Sequence, residues 1–258
     1  MKIGIIGAGA IATYLFDELN GKRNEKITVM SVFVRNDEKY EYLEGKYDLK
    51  LFTEIEKFLE SGIDVVVEAA NVEAVRNLLP TVLKQKETVL ISIGALAEED
   101  FLNEIKTIAD TFNRKLYVPS GAIGGLDLIQ NTSAVGILNE ATLITRKPAN
   151  TLVDKPIDES TVIFDGKARD AIKKYPRNMN VSIALALAGI GFDQTKVTFI
   201  ADPTISKNIH SLEVVGEFGK ATFTITNEPL PTNPNTSYLA AVSIIGMLKK
   251  MIKPMQIG

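Results

Sequence analysis

Two groups of residues in this 258-residue chain have types and spacing that could do chemistry. Near the start, Gly7-Ala8-Gly9-Ala10-Ile11-Ala12 reads Gly-x-Gly-x-x-Ala, directly after the apolar run Lys2 to Ile6 and ahead of a helical pattern. In that setting the first glycine permits a tight turn, the second lets a pyrophosphate approach the backbone, and the small third residue brings helix and strand together. Free N–H groups and the positive end of the helix dipole then favour phosphate. The plain alternative is a strand–helix turn whose glycines serve packing only. Far downstream, Asn208-Ile209-His210-Ser211-Leu212-Glu213 carries the only histidine, an imidazole able to accept and return a proton near neutral pH. Its segment reads as an ordinary strand, so its role depends on what the rest of the chain binds.

Further candidates sit at the ends of expected strands. The second strand closes Phe33-Val34-Arg35-Asn36, where a dinucleotide site usually places an acid for the ribose hydroxyl. Val34 fills that position, and Arg35 beside it could stack on adenine and pair with a 2′-phosphate, or simply end the strand in solvent. NADP is therefore expected to serve at least as well as NAD. Gly7, Gly9, Ala10, Ile11, Arg35 and Ala70 are the candidate cofactor-binding residues of the N-terminal half. Arg146 and Lys147 end a later strand and could hold a substrate carboxylate, Arg146 in bidentate fashion; a solvated strand end is the alternative.

The elements that must position these residues change in grammar along the chain. Up to Val118, strands alternate with helices of about ten to fifteen residues, which is the pattern of βαβ units and a doubly wound parallel sheet. Expected strands are Lys2 to Ile6, Ile27 to Val34, Asp64 to Glu68, Thr88 to Ile93 and Lys115 to Val118. Beyond Pro119 the pattern becomes α+β with a mainly antiparallel sheet, including strands at Ala141 to Lys147, Thr195 to Ala201, Ile209 to Gly216 and Ala221 to Thr226. A Pro/Asn-rich link, Pro229 to Asn235, precedes a last helix. The fold class is thus α/β, with residues 1–119 as a dinucleotide-binding domain completed by 236–258, and 120–235 as an α+β catalytic or dimerisation domain.

Composition narrows the function. Hydrophobic residues at 45%, charged residues at 24% and a net charge of −3 suit a globular protein and give no sign of a nucleic-acid or membrane partner. No cysteine and one histidine leave no disulfide framework and few ways to build a zinc site, so no metal is expected. A soluble protein is expected, since Val181 to Phe192 is too short to span a bilayer, and the absence of cysteine is compatible with a reducing cytoplasm, the expected location.

Several segments, in order, resemble the L-aspartate dehydrogenase family. They are Ser120-Gly121-Ala122-Ile123-Gly124-Gly125-Leu126-Asp127, Thr145-Arg146-Lys147-Pro148, Tyr175-Pro176-Arg177-Asn178-Met179-Asn180-Val181, Ala201-Asp202-Pro203, Asn208-Ile209-His210, Phe218-Gly219, Asn227-Glu228-Pro229 and Asn233-Pro234-Asn235-Thr236-Ser237. Val34 departs from the family's usual acid. The resemblance implies a Rossmann domain completed by the C-terminal helix and a middle domain covering the nicotinamide end. It implies oxidative deamination of L-aspartate through iminoaspartate, commonly feeding pyridine nucleotide biosynthesis. It further implies that the backbone at Ala122 and the side chain of Asn180 contact the nicotinamide part, and that His210 is the active-site histidine. Separately from the resemblance, a half-covered middle-domain sheet often pairs across a two-fold axis, so a homodimer is expected, which can coexist with catalysis.

The residues themselves fit these roles and leave alternatives. Ser120-Gly121-Ala122 follows the fifth expected strand, at the sheet edge where ligands bind, or is a simple interdomain turn. Asn180 lies on an otherwise apolar helix, where burial without a partner is costly; it could also cap that helix together with Asn178. Asp202 and Lys147 are fallback proton carriers. Other readings are a related amino-acid dehydrogenase or imine reductase, and a non-catalytic dinucleotide sensor in which His210 is dispensable.

Overall fold

The computed structural model describes residues 1–22, 26–153, 155–176 and 179–255, with the backbone alone at Asn235. The chain divides into two compact units, Met1–Pro119 with Ala241–Ile257, and Ser120–Ala240.

In the first unit, β1 (Lys2–Ile6), β2 (Thr28–Phe33), β3 (Lys50–Phe52), β4 (Val65–Glu68), β5 (Glu87–Leu90) and β6 (Leu116–Tyr117) form one sheet in the order β3-β2-β1-β4-β5-β6. All its pairings are parallel. The helices α1 (Ala10–Phe16), α2 (Tyr42–Tyr47), α3 (Ile55–Leu59), α4 (Val72–Gln85) and α5 (Glu99–Thr111) lie between the strands in the chain. Alternate residues of β1 and β4 feed two cores. Ile3, Ile5, Val65 and Val67 join Leu15 and Phe16 of α1 with Ile244 and Leu248, while Ile6 and Val66 join Phe58, Leu59 and Val82. A sheet buried on both faces needs such continuous apolar runs, which is why Asp64-Val65-Val66-Val67 is legible as a strand.

The sequence reading lacks α2 and β3. Lys50-Leu51-Phe52 is too short to show a period, and it becomes a strand by pairing Ser31 to Phe33 of β2. Local turns deliver it: Asp48 takes a left-handed conformation (φ 53°), and the Glu44 carboxylate accepts the Leu51 N–H at 2.9 Å.

In the second unit, α6 (Leu126–Ala134) precedes β7 (Leu138–Pro148), and β8 (Thr161–Lys167) is followed by α7 (Ala168–Lys174) and α8 (Asn180–Ala188). Then come β9 (Lys196–Asp202), β10 (Asn208–Gly216) and β11 (Gly219–Asn227). The sheet order is β11-β10-β7-β9-β8, antiparallel except for β7 with β9. Consecutive β9 and β10 are thus not neighbours; β7 lies between them and takes the central place. Period-two alternation gives this sheet a buried face of Ala141, Leu143, Thr145, Val197, Phe199, Ala201, His210, Leu212 and Val214. The Pro/Asn-rich link forms a small ladder, β12 (Pro229–Leu230) with β13 (Asn233–Ser237), before α9 (Tyr238–Met251), which from Ala241 onward belongs to the first unit.

Candidate active site

At the carboxyl edge of the first unit's sheet, Gly7 follows β1 at φ +103° and donates its N–H to the Phe33 carbonyl at 2.9 Å. A Cβ on Gly7 would lie 2.9 Å from the Ala69 carbonyl oxygen and 3.0 Å from Ala70, so glycine is required by both dihedral and space. Gly9 differs: it is exposed, and a Cβ there would meet nothing within 4 Å. As a glycine it has no side chain to cap the helix, and the first turn of α1, with Ala10 and Ile11, has no acidic residue. With no Cβ and no neighbour near that position, a pyrophosphate can approach the Gly9 backbone closely. These features fit a dinucleotide.

The β2 end reads differently from position to position. Val34 is buried in the core, 4% exposed, so its side chain is not at the surface of any ribose site, whereas Arg35 is exposed. Ala70, at the β4 end, donates its N–H at 2.8 Å to the carboxylate of Glu68, a buried acid that sequence reasoning passed over inside the Val-Val-Val-Glu strand.

In the second unit the strand register assembles a polar cluster on the buried face. His210 on β10 stands opposite Thr145 on β7, and their side chains share a hydrogen bond of 3.0 Å through Nδ1. Nε2 is the ring nitrogen not engaged with Thr145. Two residues beyond Thr145 on the same face, Lys147 is half-buried, with its ammonium 5.8 Å from the centre of the Phe199 ring. Burial lowers the Lys147 pKa. Burial, and then the Lys147 charge, push the imidazole of His210 down to about 4. The ring is therefore a neutral acceptor at neutral pH, not the group titrating near neutrality that the sequence suggests.

Nearby, Asn227 of β11 donates to the Ala122 carbonyl at 3.1 Å and accepts from the Ser237 hydroxyl. The turn at Ala122 is further fixed by Gly121 at φ +63° and by Gly125, where a Cβ would strike the Phe223 ring at 2.5 Å. A cleft of about 1120 Å³ opens beside this cluster, lined by Lys147, Asn208, Asn227 and Ser237 among others. His210 is not among its lining residues and is 5% exposed.

Not every candidate joins this cluster. Arg146 alternates to the opposite face, where it pairs with Asp202 at 3.1 Å. The Asp202 carboxylate also accepts the Thr204 hydroxyl at 2.7 Å and its N–H at 2.9 Å, and these bonds, ahead of Arg146, hold its pKa below the usual range. Neither group is placed beside His210. Asn180 opens α8 with its side chain exposed, so it bears no burial cost and the desolvation argument for it does not apply; Asn178 lies outside the described residues. Thr145 was missed by sequence reasoning, yet period-two spacing from Lys147 would have put it on the same face.

Residues 127–251 match the family described as aspartate dehydrogenase, C-terminal, and residues 7–119 match that described as homoserine dehydrogenase, NAD binding domain. An L-aspartate dehydrogenase of Methanosarcina barkeri is 40% identical, with 100% of this chain and 99% of that one covered. The chain belongs to the L-aspartate dehydrogenase family. Another member, from Methanopyrus kandleri, is 36% identical over 100% of this chain and 98% of its own. Among solved structures, the aspartate dehydrogenase of Thermotoga maritima superposes with a TM-score of 0.82 at 28% identity, covering 100% of this chain and 99% of that one. Among the described residues, no cluster of three acidic, histidine or cysteine side chains could hold a metal, and no helix is long and apolar enough to cross a membrane.

A buried neutral imidazole makes stability depend on pH. The ring titrates near 6.5 when unfolded and at about 4 when folded. Between those values the unfolded chain takes up a proton that the folded chain refuses, so stability falls as pH falls, by about 3 kcal/mol. Urea unfolding from pH 7 to pH 4 should show this loss, and His210→Asn should remove it; an unchanged slope in the variant would place the histidine elsewhere.

Proposed function

We propose that this protein is an L-aspartate dehydrogenase, oxidising L-aspartate with NAD(P)⁺ to iminoaspartate, which water converts to oxaloacetate and ammonia. The reading is carried by His210, buried beside Lys147 with Nδ1 on Thr145, in a chain 40% identical end to end to a relative of that name. The first unit, with its C-terminal helix, holds the dinucleotide on the Gly7–Gly9 turn, with Ala10, Ile11 and Ala70 beside it. The backbone at Ala122 and the side chain of Asn180 serve the nicotinamide half. When bound, the cofactor supplies the hydride acceptor.

The chain's own residues handle charge and protons. Lys147 meets a substrate carboxylate; its low-dielectric setting strengthens that attraction. A substrate carboxylate arriving beside His210 raises the proton affinity of the ring, offsetting the depression by burial and Lys147. His210 then takes the proton released from the substrate ammonium as hydride leaves Cα, passes it to solvent, and as the neutral ring again accepts one from the attacking water in the hydrolytic step. Thr145 holds the ring in one orientation throughout. Arg146 has its partner in Asp202 and is assigned a structural role.

Iminoaspartate made in this way suits supply of pyridine nucleotide biosynthesis in the cytoplasm. A homodimer is assigned to the sheet face opposite His210, where Val162 is 57% exposed and Ile144, Ile200 and Ile209 are partly so. Sedimentation should give twice the chain mass, and Ile200→Glu should give the monomer.

Purified protein should reduce NAD(P)⁺ with L-aspartate and run backward with oxaloacetate and ammonia; silence in both directions with both cofactors would end this reading. His210→Ala should lower turnover by about two to four powers of ten, with cofactor affinity retained, and wild-type turnover would remove His210 from the mechanism. With Val34 buried and Arg35 exposed at the β2 end, the specificity constant for NADP should equal or exceed that for NAD. Arg35→Ala should depress the NADP value selectively.

A further inference from the structure

Among the described residues of the first unit, one acid is buried, and the mechanism does not use it. Glu68 ends β4, is 2% exposed, and pairs in the sheet with Ile6, the last residue of β1. That pairing is the place in the order β3-β2-β1-β4-β5-β6 where the connections change direction, and a doubly wound sheet binds its ligand in the crevice there. A buried carboxylate at such a point is expensive unless hydrogen-bonded. Its bonds all go to loops: Oε1 accepts the Ala70 N–H at 2.8 Å from the turn after β4, and Oε2 accepts the Ser92 N–H at 3.0 Å from the turn after β5. The Asn71 backbone and the Ser92 hydroxyl also face it.

The same loops are interlocked by contact. The Ala69–Ala70 backbone lies against Gly7, and a Cβ on Gly94, two residues after Ser92, would sit 2.6 Å from a methyl of Val72. Burial raises the Glu68 pKa while the N–H donors oppose that rise.

We infer that Glu68 is a positioning residue for the nicotinamide half of the dinucleotide site, fixing the turns after β4 and β5 as one surface. The inference rests on the dinucleotide reading above. Its direction follows from the two-part build of such sheets: β1 to β3 with the glycine turn serve the adenosine diphosphate part, and β4 to β6 serve the other mononucleotide. Glutamine at position 68 keeps the shape but presents an NH₂ to one of the two N–H donors, so one turn loses its anchor.

The test is titration of NADH, NADPH and ADP into the wild-type protein, Glu68→Gln and Ser92→Ala, with thermal unfolding in parallel. Leaving one buried N–H without its partner corresponds to about tenfold in affinity. Glu68→Gln should raise Kd for NADH and NADPH by about that factor while Kd for ADP stays within about twofold. Ser92→Ala should move the same ratio in the same direction by a smaller factor, and it carries the test if Glu68→Gln does not fold. Equal losses for NADH and ADP would mean general destabilisation and overturn the inference, as would wild-type ratios in both variants. A wild-type protein that binds none of the three nucleotides would instead remove the dinucleotide reading, and this inference with it.

Discussion

Parallel pairing of Ile6 with Glu68 brings the turn after β1 so close to the turn after β4 that no side chain fits on Gly7. Much else in the first unit is a consequence of that approach. It forces the positive φ that swings the chain from strand into α1, and it leaves Gly9 facing open space where a ligand's phosphates can come near. It also creates a crowded floor of peptide groups, whose N–H bonds must end somewhere once water is excluded. Glu68 is where several of them end.

The second unit solves a related problem by alternation alone. A strand has two faces, and β7 uses them for different work: Thr145 and Lys147 face inward with His210, while Arg146 faces outward to Asp202. A one-residue slip in the pairing of β7 with β10 would exchange these roles, placing the imidazole opposite Arg146 or Ile144. The buried apolar neighbours Leu143, Leu212 and Val214 hold the register, so packing several residues away determines which cation depresses the histidine pKa.

Strands with long apolar runs, the glycine turn and the switch from parallel to antiparallel grammar were legible in the sequence because each is a local pattern. β3 was not, since three residues carry no period and only β2 makes them a strand. Lys147 and His210 were legible as residue types at strand ends, but their shared face follows from register, a long-range property. The same limit explains the reading of Arg146 and Lys147 as a joint carboxylate site, when neighbours on a strand point apart. Neutral-range titration was assigned to His210 from its free-solution value; the missing knowledge was its depth. Glu68 stood in plain view as a lone acid closing an apolar strand, and that cost of burial is a signal a sequence can give.

The last helix has a consequence for how the chain is made. Ile244 and Leu248 are fully buried in the same core as Ile3, Ile5 and Leu15, though more than two hundred residues separate them along the chain. During synthesis the N-terminal strands emerge first, yet one wall of their core arrives only after the whole of the second unit has left the ribosome. The first unit must therefore wait, partly open, with apolar surface exposed to the cell's chaperones.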